Sequence, residues 1–494
     1  MSSYKALVKA TTIIGLARLV EVLVSLVRVK LSALYLTVSE LGVFNQSAIL
    51  SERLSQFTLL KISDGLTKQV AESNQNEDAG RIISELLKGY LILSFVFTLL
   101  SSSLVLLFYS DIARLMFGDT LYTKFVLIAL ISLPILVLNS IPLSILRGFS
   151  DMKSIAKGRV YSCLINALHI IPLIILYGVD GAVVSILVSN LIIFIINMVL
   201  VSQYRRKFNL RLKSIILSKV SKDNFRELLS FSIFGMTIGV YIIISEFVCR
   251  SIVVSELGIE AIGVYAPVIM LSSMLTGFLI PSVTTFLYSK LCESKNSSDI
   301  STLLNHGLRI STLALIPVLF IGVSFKEIYI TVLYTSSYLE AGKYLPFHLL
   351  GLVFTIWFSV MSQSMASTGR IVQHGFFRFF YLTLDIVVTF VFVNKYGLYG
   401  WMLKHMVSPI LFSAVYFLYC KANMGFRLKL ENVVLMSYLI VVGVVLAVID
   451  DFIVKQSIVF MIASIILVSL TPLLMSQSEK AAIKKMLFIK SNDK

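Results

Sequence analysis

Apolar runs of about twenty residues follow one another through most of this chain. A run of that length crosses a bilayer as a helix. Lipid offers backbone polar groups no partner, and a helix satisfies them within itself. Hydrophobic residues make up 57% of the 494 positions, and the mean hydropathy is +0.89. Soluble globular chains are about 45–50% apolar. The runs are too long and continuous for the alternating ten-residue strands of a membrane β-barrel. The expected fold is an all-α polytopic membrane protein with about fourteen transmembrane helices. They fall near 10–36, 41–61, 86–109, 124–146, 159–177, 181–203, 228–254, 262–288, 303–324, 344–366, 372–393, 398–420, 433–450 and 456–475.

The net charge of +16 invites a nucleic-acid reading, and its distribution rejects one. With the N-terminus placed inside, 31 of the 43 Lys and Arg residues fall on inner segments and 6 on outer segments. That bias is the positive-inside pattern, so both termini are expected in the cytoplasm. Some of the inner charge is suited to anionic lipid headgroups.

Four cysteines, Cys163, Cys249, Cys292 and Cys420, are scattered without metal or disulfide spacing. No short apolar run with a small-residue cleavage site opens the chain, so a removable signal peptide is not expected. No connection is long enough to fold as a domain; the longest inner ones are Ser63–Glu85 and Tyr204–Glu227. The tail, residues 476–494, reads either as an interfacial amphipathic helix or as a solvated basic segment.

An internal repeat is visible. Arg28 precedes Gly42 and Phe44 as Arg250 precedes Gly263 and Tyr265. Arg147-Gly148 matches Gly369-Arg370, and Tyr177–Gly181 matches Tyr396–Gly400. The offsets, 219 to 222, agree across landmarks. The expected organisation is two pseudo-symmetric six-helix lobes, 1–220 and 221–425, an additional helix pair, 426–475, and the tail, 476–494. Repeat-built transporters place their site between lobes and rock the lobes to expose it alternately.

Charges inside apolar spans mark the candidate site. Arg18, Glu21, Ser25, Arg28 and Ser32 share one helix face at steps of three and four. A charge at mid-membrane costs about 2.5–3.5 kcal/mol on the insertion scale, so this face should meet protein or water. Arg28 and Arg250 are repeat counterparts and form the candidate substrate-binding set; Arg18 and Arg53 stay open between that role and ion pairing. Guanidinium groups suit a pyrophosphate because the planar fork bonds bidentately and stays protonated. Asn45 and Gln56, on the Glu52 side of their span, join the set. The competing reading pairs Arg18 with Glu21 and Glu246 with Arg250 as helix-locking ion pairs. Lys30 and Lys404 read as snorkelling side chains. Glu21, Glu52, Glu246 and Asp385 are candidates for proton or ion coupling, or permanent ion-pair partners. Asp385, with no charged neighbour within a turn, suits titration best. His169 reads as a hydrogen-bonded structural residue, and Asn139, Asn166 and Asn197 as inter-helix bonds.

Catalysis finds no support. The sequence has no phosphate-binding Gly-rich loop with Lys-Ser/Thr and no His-Glu-x-x-His or Cys-x-x-Cys set. Asp450-Asp451 reads as a polar outer loop rather than a glycosyltransferase pair. No cofactor or metal is expected; proton or sodium coupling is the open energetic question.

Lys9–Gly15, Leu26–Lys30 and Gly42–Phe44 together resemble the opening of bacterial polysaccharide exporters. Gly65–Glu72 resembles their first inner loop, and Leu146–Lys153 the segment after their fourth span. By these motifs the chain resembles the multidrug/oligosaccharidyl-lipid/polysaccharide exporter superfamily, in its O-antigen or lipid-linked oligosaccharide flippase branch. The resemblance implies an undecaprenyl-pyrophosphate-linked oligosaccharide as substrate, turned from the cytoplasmic to the periplasmic leaflet of the bacterial inner membrane. It implies a cationic central cavity, with Arg18, Arg28, Arg53 and Arg250 as the cavity set. It also implies membrane-lipid contact, and a polysaccharide polymerase and chain-length regulator as partners. It implies no nucleic acid. Branch members often have twelve spans, so the last pair departs from the pattern. Two alternatives stay open: a flippase for peptidoglycan precursor, and a drug or organic-cation antiporter with an acidic, aromatic cavity.

Overall fold

The computed structural model describes residues 2–73, 78–294, 296–452 and 475, with some side chains in 2–14, 231–238, 278–289 and 442–452 left undescribed. The span expected at 456–475 and the tail therefore lie outside the described residues. Fifteen α-helices are seen among the described residues. They are α1 (Ser2–Tyr35), α2 (Val38–Leu59), α3 (Ile62–Ser73), α4 (Ala79–Leu107), α5 (Tyr109–Phe117), α6 (Thr123–Gly148), α7 (Met152–Lys207) and α8 (Leu212–Leu217). They continue as α9 (Lys222–Leu257), α10 (Ile259–Glu293), α11 (Ser297–Ser324), α12 (Lys326–Leu333), α13 (Leu345–Ser367), α14 (Ile371–Met424) and α15 (Leu430–Phe452). The chain is an all-α polytopic membrane protein.

The thirteen spans expected between residues 10 and 450 fall on these helices, two pairs of them inside the double-length α7 and α14. Seven stretches among the described residues are long and apolar enough to cross a membrane by length and composition. α1 and α2 are not among them, because they carry the charged and amide side chains discussed below. Short helices α3, α5, α8 and α12 occupy segments that the sequence reading treated as connections or span ends. α3 buries Ile62, Leu66 and Val70 against Ile83, Leu87 and Leu146, an amphipathic face too short to register as a span. Asp450 and Asp451 lie on α15 rather than in a loop.

The backbone repeats itself at the spacing read from sequence. α7 is broken at Gly178 (φ 57°, ψ −135°) and α14 at Gly397 (φ 59°, ψ −135°), 219 residues apart. Only glycine adopts that conformation without a steric cost. At the end of α6 the Asp151 N–H donates to the Leu146 carbonyl (2.9 Å), and 219 residues on the Arg370 N–H donates to Met365 (3.0 Å).

Contacts divide the chain into two compact units. The first holds the described residues up to Ala266, with Leu333–Thr335 and Asp385–Val393. The second holds Pro267–Val332, Ser336–Leu384 and the described residues from Asn394. In the first unit, one core forms around Leu66, Tyr90 and Leu146, and another around Val43, Phe117 and Phe125. There α2 and α10 approach backbone to backbone: a Cβ added at Gly42 would collide with the Ile259 carbonyl, and one at Gly263 with that of Val38. In the second unit α13 is the buried centre, with Trp357 donating from its indole to Thr312 Oγ1 on α11 at 3.0 Å.

Candidate functional site

Three helices of the first unit enclose a polar cavity of about 280 Å³. Each contributes one face at helical spacing: Glu21, Ser25 and Arg28 from α1; Asn139, Leu143 and Arg147 from α6; Arg159, Ser162, Cys163 and Asn166 from α7. Asn197, beyond the Gly178 break, returns to the same cavity. Its amide donates to Asn139 Oδ1 at 2.9 Å.

The charge in this cavity is unbalanced. Glu21 pairs with Arg18 at 2.9 Å and lies 4.0 Å from Arg159. Arg28 donates to Ser25 Oγ at 3.5 Å and feels the charge of Glu21 on the same helix. Among the described residues neither Arg28 nor Arg147 has a carboxylate within ion-pair distance. Three guanidinium groups thus line a space that holds one carboxylate, itself shared with Arg18. Arg147 and Arg159 are exposed and Arg28 is half-buried, so positive potential runs from an open rim inward. Asn166 Oδ1 lies buried at this cavity with no hydrogen-bond donor among the described residues. A buried acceptor without a donor is costly, and a water or hydroxyl ligand would satisfy it.

The rim is fixed by Asp151. Its carboxylate caps α7 by accepting from the Ser154 N–H (3.0 Å), and also accepts from Gln203 (2.8 Å) and the Tyr204 hydroxyl (3.1 Å). Burial pushes its pKa up, but the hydrogen bonds from Ser154, Tyr204 and Gln203 outweigh that and hold it below the ordinary value. Burial, then the charge of Asp151, pushes the Tyr204 hydroxyl up to about 12. Tyr204 also stacks on Phe149, ring centres 4.4 Å apart. The two arms of α7 and the end of α6 are thereby tied together beside Arg147.

A second polar cluster joins α2 to α9. Gln56 donates to Glu52 (2.9 Å) and accepts from Arg53 (2.6 Å). Arg53 Nε lies 2.8 Å from Glu246, in ion-pair contact but without hydrogen-bond alignment. Glu246 also accepts from Arg250 Nε at 3.3 Å, and Arg250 Nη1 donates to Gln46 Oε1 at 2.9 Å. Gln46 in turn donates to the Met116 carbonyl at 3.0 Å. Two carboxylates face two guanidinium groups, so this network is electrically balanced. Cys249, next to Arg250, points its thiol at Asp385 Oδ2 (3.9 Å), and Thr389 donates to Cys249 Sγ (3.3 Å).

The expected site residues therefore fall into two groups. Glu21 and Arg28 line the cavity, with Arg18 at its edge. Glu52, Arg53, Gln56, Glu246 and Arg250 form the balanced network, and Asp385 adjoins it through Cys249. No bond joins Arg28 to Arg250. Asn45 is half-buried and joins neither group by a hydrogen bond. Lys30 donates to the Tyr334 carbonyl and Lys404 is buried, so neither side chain snorkels: each amine is held by the packing of its helix rather than at a headgroup. His169 bonds the Ile165 carbonyl (3.1 Å) and Ser189 (3.2 Å). Arg147 and Arg159 were counted in the sequence as inner-side charges. The signal for them was present in the four-residue steps Asn139–Leu143–Arg147, which continue a helical face past the span's end. Among the described residues no group of three His, Cys, Asp or Glu side chains could hold a metal.

The family described as polysaccharide biosynthesis protein matches residues 36–343. The chain belongs to that family. No curated protein matches it. The fold of this polysaccharide biosynthesis protein is similar to that of the lipid II flippase MurJ in an inward closed conformation: TM-score 0.70, 18% identity, covering 92% of this chain and 98% of that one. It is also similar to an inward-facing multidrug resistance MATE transporter of the MOP superfamily (0.65, 15%, 80% and 94%). A third is a MOP superfamily transporter from Pyrococcus furiosus described as having a binding pocket of reverse polarity (0.58, 14%, 84% and 96%). At these identities the likeness establishes a shared fold and nothing further.

Proposed function

We propose that this polysaccharide biosynthesis protein flips a prenyl-pyrophosphate-linked glycan from the cytoplasmic to the periplasmic leaflet. The cargo is an undecaprenyl-pyrophosphate-linked repeat unit of O-antigen or a related surface polysaccharide. The observation that carries this reading is the cavity where Arg28 and Arg147 stand without a carboxylate partner. A half-buried guanidinium with no carboxylate at ion-pair distance, as at Arg28, is costly in a membrane span, and an anionic headgroup offsets that cost by bidentate, charge-assisted bonds, with Arg147 adding positive charge at the exposed rim. An organic cation would be repelled there, which disfavours the antiporter reading. The likeness to a lipid II flippase supports a lipid-linked cargo of the same pyrophosphate chemistry. The polyprenyl tail stays in lipid while the polar head moves, because a pyrophosphate and sugars cannot enter hydrocarbon alone.

In this reading the repeats at 1–220 and 221–425 alternate access in the inner membrane with both termini cytoplasmic. The balanced network of Arg53, Glu246 and Arg250 holds α2 to α9 rather than holding cargo. Asp385 is the candidate coupling carboxylate, and a polymerase and chain-length regulator use the product. Deletion of the gene from its host tests the function. The expected result is loss of surface polysaccharide with accumulation of unpolymerised lipid-linked precursor on the inner leaflet. Unchanged glycans with new drug sensitivity would overturn it.

A further inference from the structure

The cavity has a counterpart in the second repeat, and that counterpart is filled. At the 219-residue spacing set by Gly178 and Gly397, Asn139 corresponds to Phe358, Ser162 to Tyr381, Ile193 to Phe412 and Asn197 to Tyr416. In the first unit these positions line open space. In the second unit the four aromatic rings pack on one another. Phe358 lies 5.4 Å from Tyr381 and 5.3 Å from Phe412, and Phe412 lies 4.6 Å from Tyr381 and 4.9 Å from Tyr416. Phe412 and Tyr416 are fully buried. Arg159 corresponds to Arg378, whose guanidinium sits 5.7 Å from the Tyr381 ring centre rather than over an open space. A duplicated fold has thus kept one hollow and closed the other. Filling a cavity recovers dispersion that a void forfeits, so a hollow with only a structural role would be expected to pack as the second repeat does.

We propose that the anionic headgroup is held inside the first repeat alone, its pyrophosphate on Arg28, Arg147 and Arg159 and a hydroxyl of its first sugar donated to Asn166. This rests on the function proposed above and deepens it. Asn166 Oδ1, buried without a donor among the described residues, supplies the acceptor that a sugar hydroxyl needs. A space of about 280 Å³ sits at the lower edge of the range for small-molecule sites, about 300–1,000 Å³. It accommodates a pyrophosphate and the sugar next to it, and the rest of the oligosaccharide extends from the open rim. The site therefore reads the part of the cargo common to different repeat units.

The test uses the full chain in detergent, with undecaprenyl pyrophosphate as probe and undecaprenol as its uncharged control. Cys163 lines the cavity and is the native reporter; Cys292→Ser removes the exposed competing thiol. The pyrophosphate is expected to slow maleimide labelling of Cys163 at least about fivefold, with undecaprenol without effect. The double substitution S162Y/N197Y, which installs the second repeat's residues, should weaken pyrophosphate binding at least about tenfold. That factor is about 1.4 kcal/mol. Equal labelling with and without the pyrophosphate, in a protein that still binds it, would overturn the proposal, and this measurement does not depend on whether the double variant folds. Reconstituted transport by such a protein would leave the flippase reading standing while removing this site from it.

Discussion

Arg250 Nη1 lies 2.9 Å from Gln46 Oε1, so the guanidinium on α9 is bonded to α2 and is not among the groups lining the cavity that holds Arg28. The two arginines matched by the sequence motifs stand in different surroundings. Arg250 completes a balanced network, and Arg28 faces an empty polar space.

The balanced network predicts a stability effect. Glu246→Gln leaves Arg53 and Arg250 without their shared carboxylate. Breaking a fully buried pair costs about 3–5 kcal/mol. The Glu246 side chain keeps 28% exposure, so solvent screens part of this and about 1–3 kcal/mol is expected. The unfolding midpoint in detergent should fall accordingly. An unchanged midpoint would show that the network does not hold α2 to α9.

The cavity arginines predict the opposite signature. Arg28→Ala and Arg147→Ala break no ion pair among the described residues, so neither should lower stability, read from the unfolding midpoint, by more than about 1 kcal/mol. Each should reduce glycan export about 10–100-fold, the loss of one charge-assisted bond of about 1.5–3 kcal/mol. Arg28→Lys should restore export only in part, because an ammonium lacks the planar fork. Export at the parental level in both alanine variants, measured as surface polysaccharide, would remove them from the site.

Asp151 predicts a pH dependence. Its carboxyl is held below the ordinary value, about 3.9. A depressed carboxyl contributes stability that is full above its unfolded pKa and lost as pH falls through the folded one. The parent should therefore lose this contribution only below about pH 3.9. Asp151→Ala should remove it at neutral pH, at about 0.5–2 kcal/mol for the lost helix cap. Unfolding midpoints of parent and variant measured from neutral to acid pH should converge at the acid end. A constant gap would contradict the assignment.

The close approach of α2 to α10 predicts a steric effect. Gly263→Val places a branched side chain against the Val38 carbonyl, where even a Cβ does not fit. Overpacking of this kind costs about 1–3 kcal/mol or more. Folded yield should drop sharply, and Gly239→Ala, where a Cβ meets nothing, should leave it unchanged.

Helix existence was legible because apolar length is a local property. The repeat was legible because turn residues such as Gly178 and Gly397 are dictated by backbone geometry. The ion pairs Arg18–Glu21 and Glu246–Arg250 follow from spacing on one helix. What sequence cannot carry is which helices close on one another. Arg53 meeting Glu246 joins α2 to α9 across 193 positions, and no periodicity encodes that. Arg147 and Arg159 were hidden for a different reason: at a span's end an arginine serves topology and a cavity rim with the same residue type. The filled second cavity was invisible too, since Phe358 and Tyr416 look like any apolar core residue until their ring contacts are known.

A flippase for a pyrophosphate-linked lipid moves its cargo between leaflets. Proteoliposomes carrying a fluorescent undecaprenyl-pyrophosphate glycan, quenched from outside by dithionite, measure that directly. The parent is expected to render nearly all the label quenchable within the assay, whereas Arg28→Ala/Arg147→Ala leaves the inner-leaflet fraction protected as in protein-free vesicles. A protected fraction in the parent equal to that of empty vesicles, or a double variant as active as the parent, would contradict this function.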